Sequence, residues 1–211
     1  MDQTYSRTNP SPRFTEMAAL YRTMHAEGDT INAIPAAETF QGVSLIPHVQ
    51  VIGLMVQRYG ARSLLDYGAG KAEGYEKMKV TTPDGQTVTG LKAIWGLDAI
   101  TLYDPGYPPH STLPTGTFDA VVCTDVLEHC PEEDMSWILD ELFAYATQFV
   151  YCSIACYPAK KILPNGENAH ITQKSPGWWL DMLDRCHQRH SDVHFAATIE
   201  TVQHTRIVVD V

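Results

Sequence analysis

Four short runs of strand-forming residues punctuate the chain: SLLDY at 63–67, AITLYDP at 99–105, FDAVVCTD at 118–125 and FVYCSIA at 149–155. They are near-continuously apolar rather than strictly alternating, which is what strands covered on both faces require. Stretches with helical periodicity lie among them, so the chain predicts an α/β fold with a doubly wound, mostly parallel sheet. Two alternating runs near the end, VHFAATIE and TRIVVDV, predict an antiparallel C-terminal edge.

The helices can be placed in the same way. FTEMAALYRTMHAEG sets Phe14, Met17, Ala18, Tyr21, Met24 and His25 at helical spacing and stops at Gly28. SLIPHVQVIGLMVQRYG predicts a second helix with Ser44 as N-cap and Gly60 at its end. PEEDMSWILDELFAYATQ opens on acids that suit a helix N-terminus, and Ser175-Pro176 opens another helix. KVTTPDGQTVTG has two β-prone arms around Pro83-Asp84-Gly85 and reads as a hairpin inserted over 76–92. Residues 1–43 are therefore expected to form a loose arm and a lid helix, and residues 44–211 one domain.

Composition narrows the function classes. At 211 residues with 44% hydrophobic and 19% charged residues, the chain suits one soluble globular domain. The start MDQTYSRTNPSPR is polar and the apolar runs are short, so no signal peptide, no membrane partner and a cytoplasmic location are expected. Five scattered cysteines, with no C-x-x-C pair, argue against a disulfide framework or a structural zinc. A formal net charge of −10 disfavours duplex nucleic acid as a partner, though not a local basic pocket; Lys160-Lys161 is the only adjacent basic pair.

The chemistry concentrates at strand ends. SLLDYGAGKAEGY carries Asp66, Gly68 and Gly70 just past the first strand, where α/β sheets bind ligands. A dinucleotide fingerprint would want a third glycine where Glu73 stands, and a carboxylate there repels a pyrophosphate. An acid before the first glycine suits instead a cofactor with an ammonium and a sulfonium and no phosphate, S-adenosylmethionine. LLDYGAG, then YDP, then FDAVVCTDVLEHCP resemble, in order, the motifs of the class I S-adenosylmethionine-dependent methyltransferases, over about residues 44–211. The resemblance implies a Rossmann-like methyltransferase fold in which Asp66, Tyr67, Gly68, Ala69 and Gly70 contact the cofactor. It also implies that Asp104 accepts hydrogen bonds from the ribose hydroxyls and that Asp125 adds a contact at the end of the fourth motif. Only 15 positions separate Asp104 from Asp119, so the family's third strand and its adenine-contacting acid are cut short or missing.

The fourth motif continues into TDVLEHC, which sets Asp125, Glu128 and His129 on one face of a helical turn, and LPNGENAHIT follows the fifth run with His170. Asp125, His129 and His170 are the candidate catalytic residues, with either histidine a metal-free base titrating near the unperturbed value of about 6.5. D-V-L-E-H and P-N-G-E-N with the following His also resemble the metal-dependent methyltransferases of the terminal ribose of small RNAs. That resemblance implies Asp125, Glu128, His129 and His170 as ligands of Mg2+ or Mn2+. The expected function is methyl transfer to oxygen or nitrogen of a small molecule or nucleotide. Two alternatives stand beside it: metal-dependent ribose 2'-O-methylation of RNA, and a non-catalytic S-adenosylmethionine-binding module. Weaker candidates are Tyr21 and His25 facing a lid-covered pocket and Trp178 stacking a planar substrate. Trp179, Cys152 and Cys156 read as core.

Overall fold

The computed structural model describes residues 5–81, 84–203 and 205–210. The elements in order are α1 (Pro12–Glu27), α2 (Val49–Tyr59), β1 (Ser63–Tyr67), β2 (Lys79–Thr81), β3 (Thr87–Thr89), α3 (Leu91–Trp95) and β4 (Ala99–Tyr103). There follow β5 (Phe118–Thr124), α4 (Met135–Tyr145), β6 (Ala146–Ala155), α5 (Pro176–Arg189), β7 (His194–Glu200) and β8 (Arg206–Asp210). Six strands form one sheet in the order β4-β1-β5-β6-β7-β8, parallel except for the β7–β8 pair. The expected doubly wound sheet with an antiparallel C-terminal edge is present.

Side-chain alternation along the strands divides the core in two. Leu65, Val121, Cys123, Val150 and Cys152 pack on one face under α4 and α5 with Leu139, Leu142 and Trp179. Leu64, Ala120, Val122, Phe149 and Tyr151 pack on the other under α2 and α3 with Ile52, Val56, Leu91 and Trp95. At about 1.5–3 kcal/mol per large side chain, these two layers dominate the stability. The chain runs from β1 to β4 on one side and from β5 to β6 on the other, so the order of connection reverses between β1 and β5. Such a reversal opens a crevice at the carboxyl ends of those strands. β4 is an edge of this sheet, and residues 105–117 between it and β5 form no further strand.

Several boundaries differ from the sequence reading. The helix expected from Ser44 begins at Val49: Val43–His48 is a 3-10 turn containing Pro47, and the Ser44 hydroxyl donates to the Thr124 carbonyl instead of capping. The stretch 36–59 is long and apolar enough in composition for a membrane helix, yet it is broken by the left-handed Gly42 and buries Leu45, Ile52 and Val56 in the core. The β2–β3 hairpin is a separate two-stranded sheet, as expected, but the insertion ends at Thr89 because Leu91 and Trp95 are core residues of α3. Its turn residue Pro83 lies outside the described residues.

The arm is not loose where it is described. The Ser11 hydroxyl accepts from the Phe14 amide and caps α1, whose first residue is Pro12, and Asp134 accepts from both the Ser11 amide and its hydroxyl. Arg7 donates to Glu141 and to the Tyr67 and Tyr103 hydroxyls, and its guanidinium lies 4.7 Å from the Trp137 ring centroid. These contacts pin α1 across the carboxyl ends of the sheet. Residues 1–4 lie outside the described residues.

Candidate functional site

A cavity of about 720 Å³ opens at the carboxyl ends of β1, β4, β5 and β6 and is roofed by α1 and the 38–44 connector. Gly68, Ala69, Gly70 and Asp104 line one side, Asp125, His129 and His170 the other, and Tyr21, His25 and Phe40 the roof. This joins most of the sequence-predicted residues in one space. It leaves out Asp66, Tyr67 and Glu128.

The glycine turn is held by the protein itself. Gly68 has φ 86° and Gly70 φ 56°, where a side chain is strained. A Cβ on Gly68 would sit 2.3 Å from Val126 Cγ2, and one on Gly70 would sit 2.5 Å from the Phe40 carbonyl oxygen. No helix follows the turn: 71–77 is a series of turns, so the free helix N-H groups that such a motif often supplies are not there. Gly68 and Ala69 donate their amides to the Tyr103 carbonyl, Gly70 to Asp104 Oδ2 at 2.9 Å, Lys71 to the Phe40 carbonyl and Glu73 to the Gln41 carbonyl. A pyrophosphate needs such donors, and these five are already used. Asp104, at the end of β4, is fixed by the Gly70 and Gly106 amides, and its remaining lone pairs border the cavity.

Asp66 and Tyr67 take other places because successive strand residues point to opposite faces. Asp66 is 1% exposed, and its Oδ2 accepts from the Tyr75 hydroxyl at 2.6 Å. Burial, against the Tyr75 hydrogen bond and with a further push from Asp104, drives its carboxyl up to about 7. Tyr67 reaches the opposite face and donates to Glu141 at 2.6 Å.

On the far side, Asp125 has φ 60°, an uncommon conformation outside glycine that turns its carboxyl into the cavity mouth. One potential ligand atom from each of Asp125, His129 and His170 lies within 4.8 Å of the others. Glu128 is outside this group. It is fully buried on the 3-10 turn Leu127–His129, its Oε1 accepts from the Ala155 amide at 2.5 Å, and its second oxygen has no hydrogen-bond partner. Burial and the Asp125 carboxyl push Glu128 well above the usual carboxylate range. The sequence could not separate these roles, because i and i+3 share a face only in a regular helix.

The histidine tautomers follow from their partners. A backbone carbonyl can only accept, so the 2.8 Å contact from His129 Nδ1 to Ala169 O and the 2.5 Å contact from His170 Nδ1 to Tyr157 O put a proton on each Nδ1. The lone pairs are left on Nε2, and His170 Nε2 lies 3.8 Å from Asp125 Oδ1. The Tyr21 hydroxyl, from α1, donates to Ala169 O at 3.0 Å and lies 2.6 Å from His129 Nδ1, so α1 helps orient this ring. Burial, with His170 alongside, lowers His129 to about 4, and burial lowers His170 as well. The unperturbed value near 6.5 expected for either histidine is thus replaced by a lower one.

The weaker candidates divide. Tyr21 and His25 line the cavity, as do Lys160 and Lys161 at its mouth. Trp178 does not; it packs on Trp179 and carries Lys174 over its ring. Burial pushes the Cys152 thiol to about 12 and the Cys156 thiol to about 11, so neither is a nucleophile at neutral pH. A smaller cavity of about 180 Å³ adjoins the main one, sharing Ser44, Asp125 and Tyr157. Comparison of the chain with protein-family models, with curated proteins and with solved structures gives no match.

Proposed function

We propose that this protein is an S-adenosylmethionine-dependent methyltransferase acting on a small-molecule or nucleotide acceptor. One observation carries the reading: a single cavity at the strand-order reversal joins an Asp104 carboxyl beside a glycine turn to a cluster of two histidines and an aspartate. The turn has spent its amides, which suits a cofactor without phosphate, and the acids Asp104 and Asp125 suit one with cationic groups. Asp104, Gly68, Ala69 and Gly70 would hold the cofactor, which supplies a methyl group already activated on a sulfonium. What is left for this chain is to orient the acceptor and take its proton.

His129 is built for that step. Its Nδ1-H is fixed on the Ala169 carbonyl and its Nε2 carries a lone pair; burial lowers it to about 4, which keeps it neutral above about pH 5 and makes it a weaker base than a free imidazole. The imidazolium formed on accepting a proton is stabilised by Asp125 and loses the proton readily to water.

A divalent cation is the second reading, favoured by the same contacts. Histidines that bind metals donate their other ring N-H to a carbonyl or carboxylate, as both do here. Asp125, His129 and His170 would hold the ion, which would polarise the acceptor oxygen; the buried Glu128, tied to Ala155, fits the set poorly. This reading would make the acceptor a hydroxyl such as that of a ribose.

The test is S-adenosylhomocysteine production over small molecules, nucleosides and short RNAs, with a chelator and with added Mg2+ or Mn2+. A metal-free His129 predicts turnover indifferent to chelator, rising through about pH 4 and level from pH 5 to 8. A metal site predicts loss with chelator and recovery with the ion. Absence of calorimetric binding of S-adenosylmethionine would sink both; binding without turnover on any acceptor would leave a binding module.

A further inference from the structure

We propose that His25, on the lid helix α1, is a nucleoside-binding residue that brackets a ribose hydroxyl together with Asp104; this rests on the cofactor reading above. β4 is an edge of the sheet, so among the described residues no strand walls the cavity beyond Asp104. The wall there comes from outside the sheet: His25 from α1, Phe40 from the connector, and Pro105-Gly106. Their rings pack on one another, with His25 4.8 Å from Phe40 and stacked at 5.0 Å on Tyr107, which backs it. His25 is therefore held in place before any ligand arrives, and Phe40 offers an apolar aromatic surface beside it, the kind of wall a planar base packs against.

The polar end of His25 is what points to a hydroxyl. Its Nε2 lies 3.8 Å from Asp104 Oδ1, too far for a hydrogen bond, while its Nδ1 is buried with no partner. With a carboxyl in front of Nε2 and nothing in front of Nδ1, the favoured tautomer carries its proton on Nε2. A donor and an acceptor thus flank the cavity without reaching each other. A hydroxyl oxygen at about 2.8 Å from each accepts from His25 and donates to Asp104, which neither group achieves with the other. The Gly106 and Gly70 amides already fix Asp104, so both sides of the bracket are rigid. The other groups around His25 are rings or are engaged elsewhere: Tyr107 stacks on it, Phe40 is tilted against it, Lys71 donates to the Ala36 carbonyl, and His110 Nδ1 lies 2.8 Å from the Gly70 carbonyl.

The contrast with the other Asp–His pair of the cavity strengthens the assignment. His170 and Asp125 are also 3.8 Å apart, but there the Nδ1 proton is anchored on Tyr157 and Nε2 is a lone pair. That pair suits a shared cation or proton; the His25–Asp104 pair suits a hydroxyl. The cavity therefore has a nucleoside end and a reacting end.

Calorimetry with adenosine, its 2'- and 3'-deoxy forms, methionine and S-adenosylmethionine tests this. The variant is His25→Phe, which keeps a ring on Tyr107 and removes the N-H. Wild type should prefer adenosine to at least one deoxy form about tenfold, a single charge-assisted hydrogen bond's worth. His25→Phe should bind adenosine and S-adenosylmethionine about tenfold more weakly, lose that preference and leave methionine binding unchanged, and His25→Gln, which retains a donor, should recover most of it. His25→Ala serves the same comparison if the Phe variant does not fold. A variant that binds S-adenosylmethionine like wild type, or keeps the preference, overturns the role of His25 and leaves the cofactor reading standing. Wild type that binds neither S-adenosylmethionine nor adenosine removes both.

Discussion

Asp66→Asn isolates the cost of a buried acid in β1. Asp66 is 1% exposed and its one hydrogen bond is from the Tyr75 hydroxyl. Burial raises its carboxyl from 3.8 to about 7. The folded chain then keeps a proton that the unfolded chain releases above about pH 4, so this group's contribution to stability is greatest below the unfolded value. It is lost as pH rises towards the folded value. The interval is worth about 4 kcal/mol at about 1.4 kcal/mol per pH unit. Asparagine cannot ionise and still offers Tyr75 an amide oxygen, so the variant lacks this dependence, and every other titrating group cancels between the two proteins. Urea unfolding of both between about pH 4 and pH 8 should show the variant gaining on wild type by about 3–4 kcal/mol across that range, most steeply near pH 5–6. A difference that stays flat with pH would refute the reasoning, because it would mean the folded chain accommodates the ionised carboxylate as easily as water does.

Arg7→Ala removes the contacts that tie the segment before α1 to Glu141 and Tyr103. It leaves Glu141, whose side chain is 14% exposed, without its cation and should cost about 3 kcal/mol, with faster hydrogen exchange along α1 before any change in β5 or β6; uniform exchange would show that the arm is not a local fastener. Replacing residues 79–89 by a short Gly-Ser linker should cost under about 1 kcal/mol, since β2 and β3 pair with each other outside the six-stranded sheet and a loop's closure entropy changes slowly with length. A thermal melt lost or lowered by more than about 8 °C would mean that the hairpin supports α3.

How far the sequence reaches can be traced through particular residues. Apolar runs identified β1, β4, β5 and β6, and their parallel pairing follows from burial on both faces, because period and burial are local properties that tertiary context rarely reverses. The caps of α1 and α5 are Ser-Pro pairs, and the apolar periodicity beginning at Phe14 places the start of α1 two residues late because the Ser11-Pro12 cap precedes it. Strand ends carrying Asp104 and Asp125 put the candidate site on the carboxyl edge, and the alternation of strand and helix did the rest.

Apolar period and glycine-rich strand ends are enough to specify a mostly parallel sheet with an antiparallel C-terminal pair and the edge on which polar groups gather. Which of those groups meet depends on how the elements dock. Asp66 and Tyr67 are neighbours in sequence, but strand pleating sends one under Tyr75 and the other to Glu141. Glu128 reads as one of a cluster until its backbone takes a 3-10 turn and its carboxyl is buried against Ala155. His25 and Arg7 read as a stripe residue and a loose-arm charge; their partners Asp104 and Glu141 are 79 and 134 positions away. Local pattern fixes where a side chain sits along an element. Its partner is fixed by how elements dock, and that is settled by the packing of both sheet faces at once.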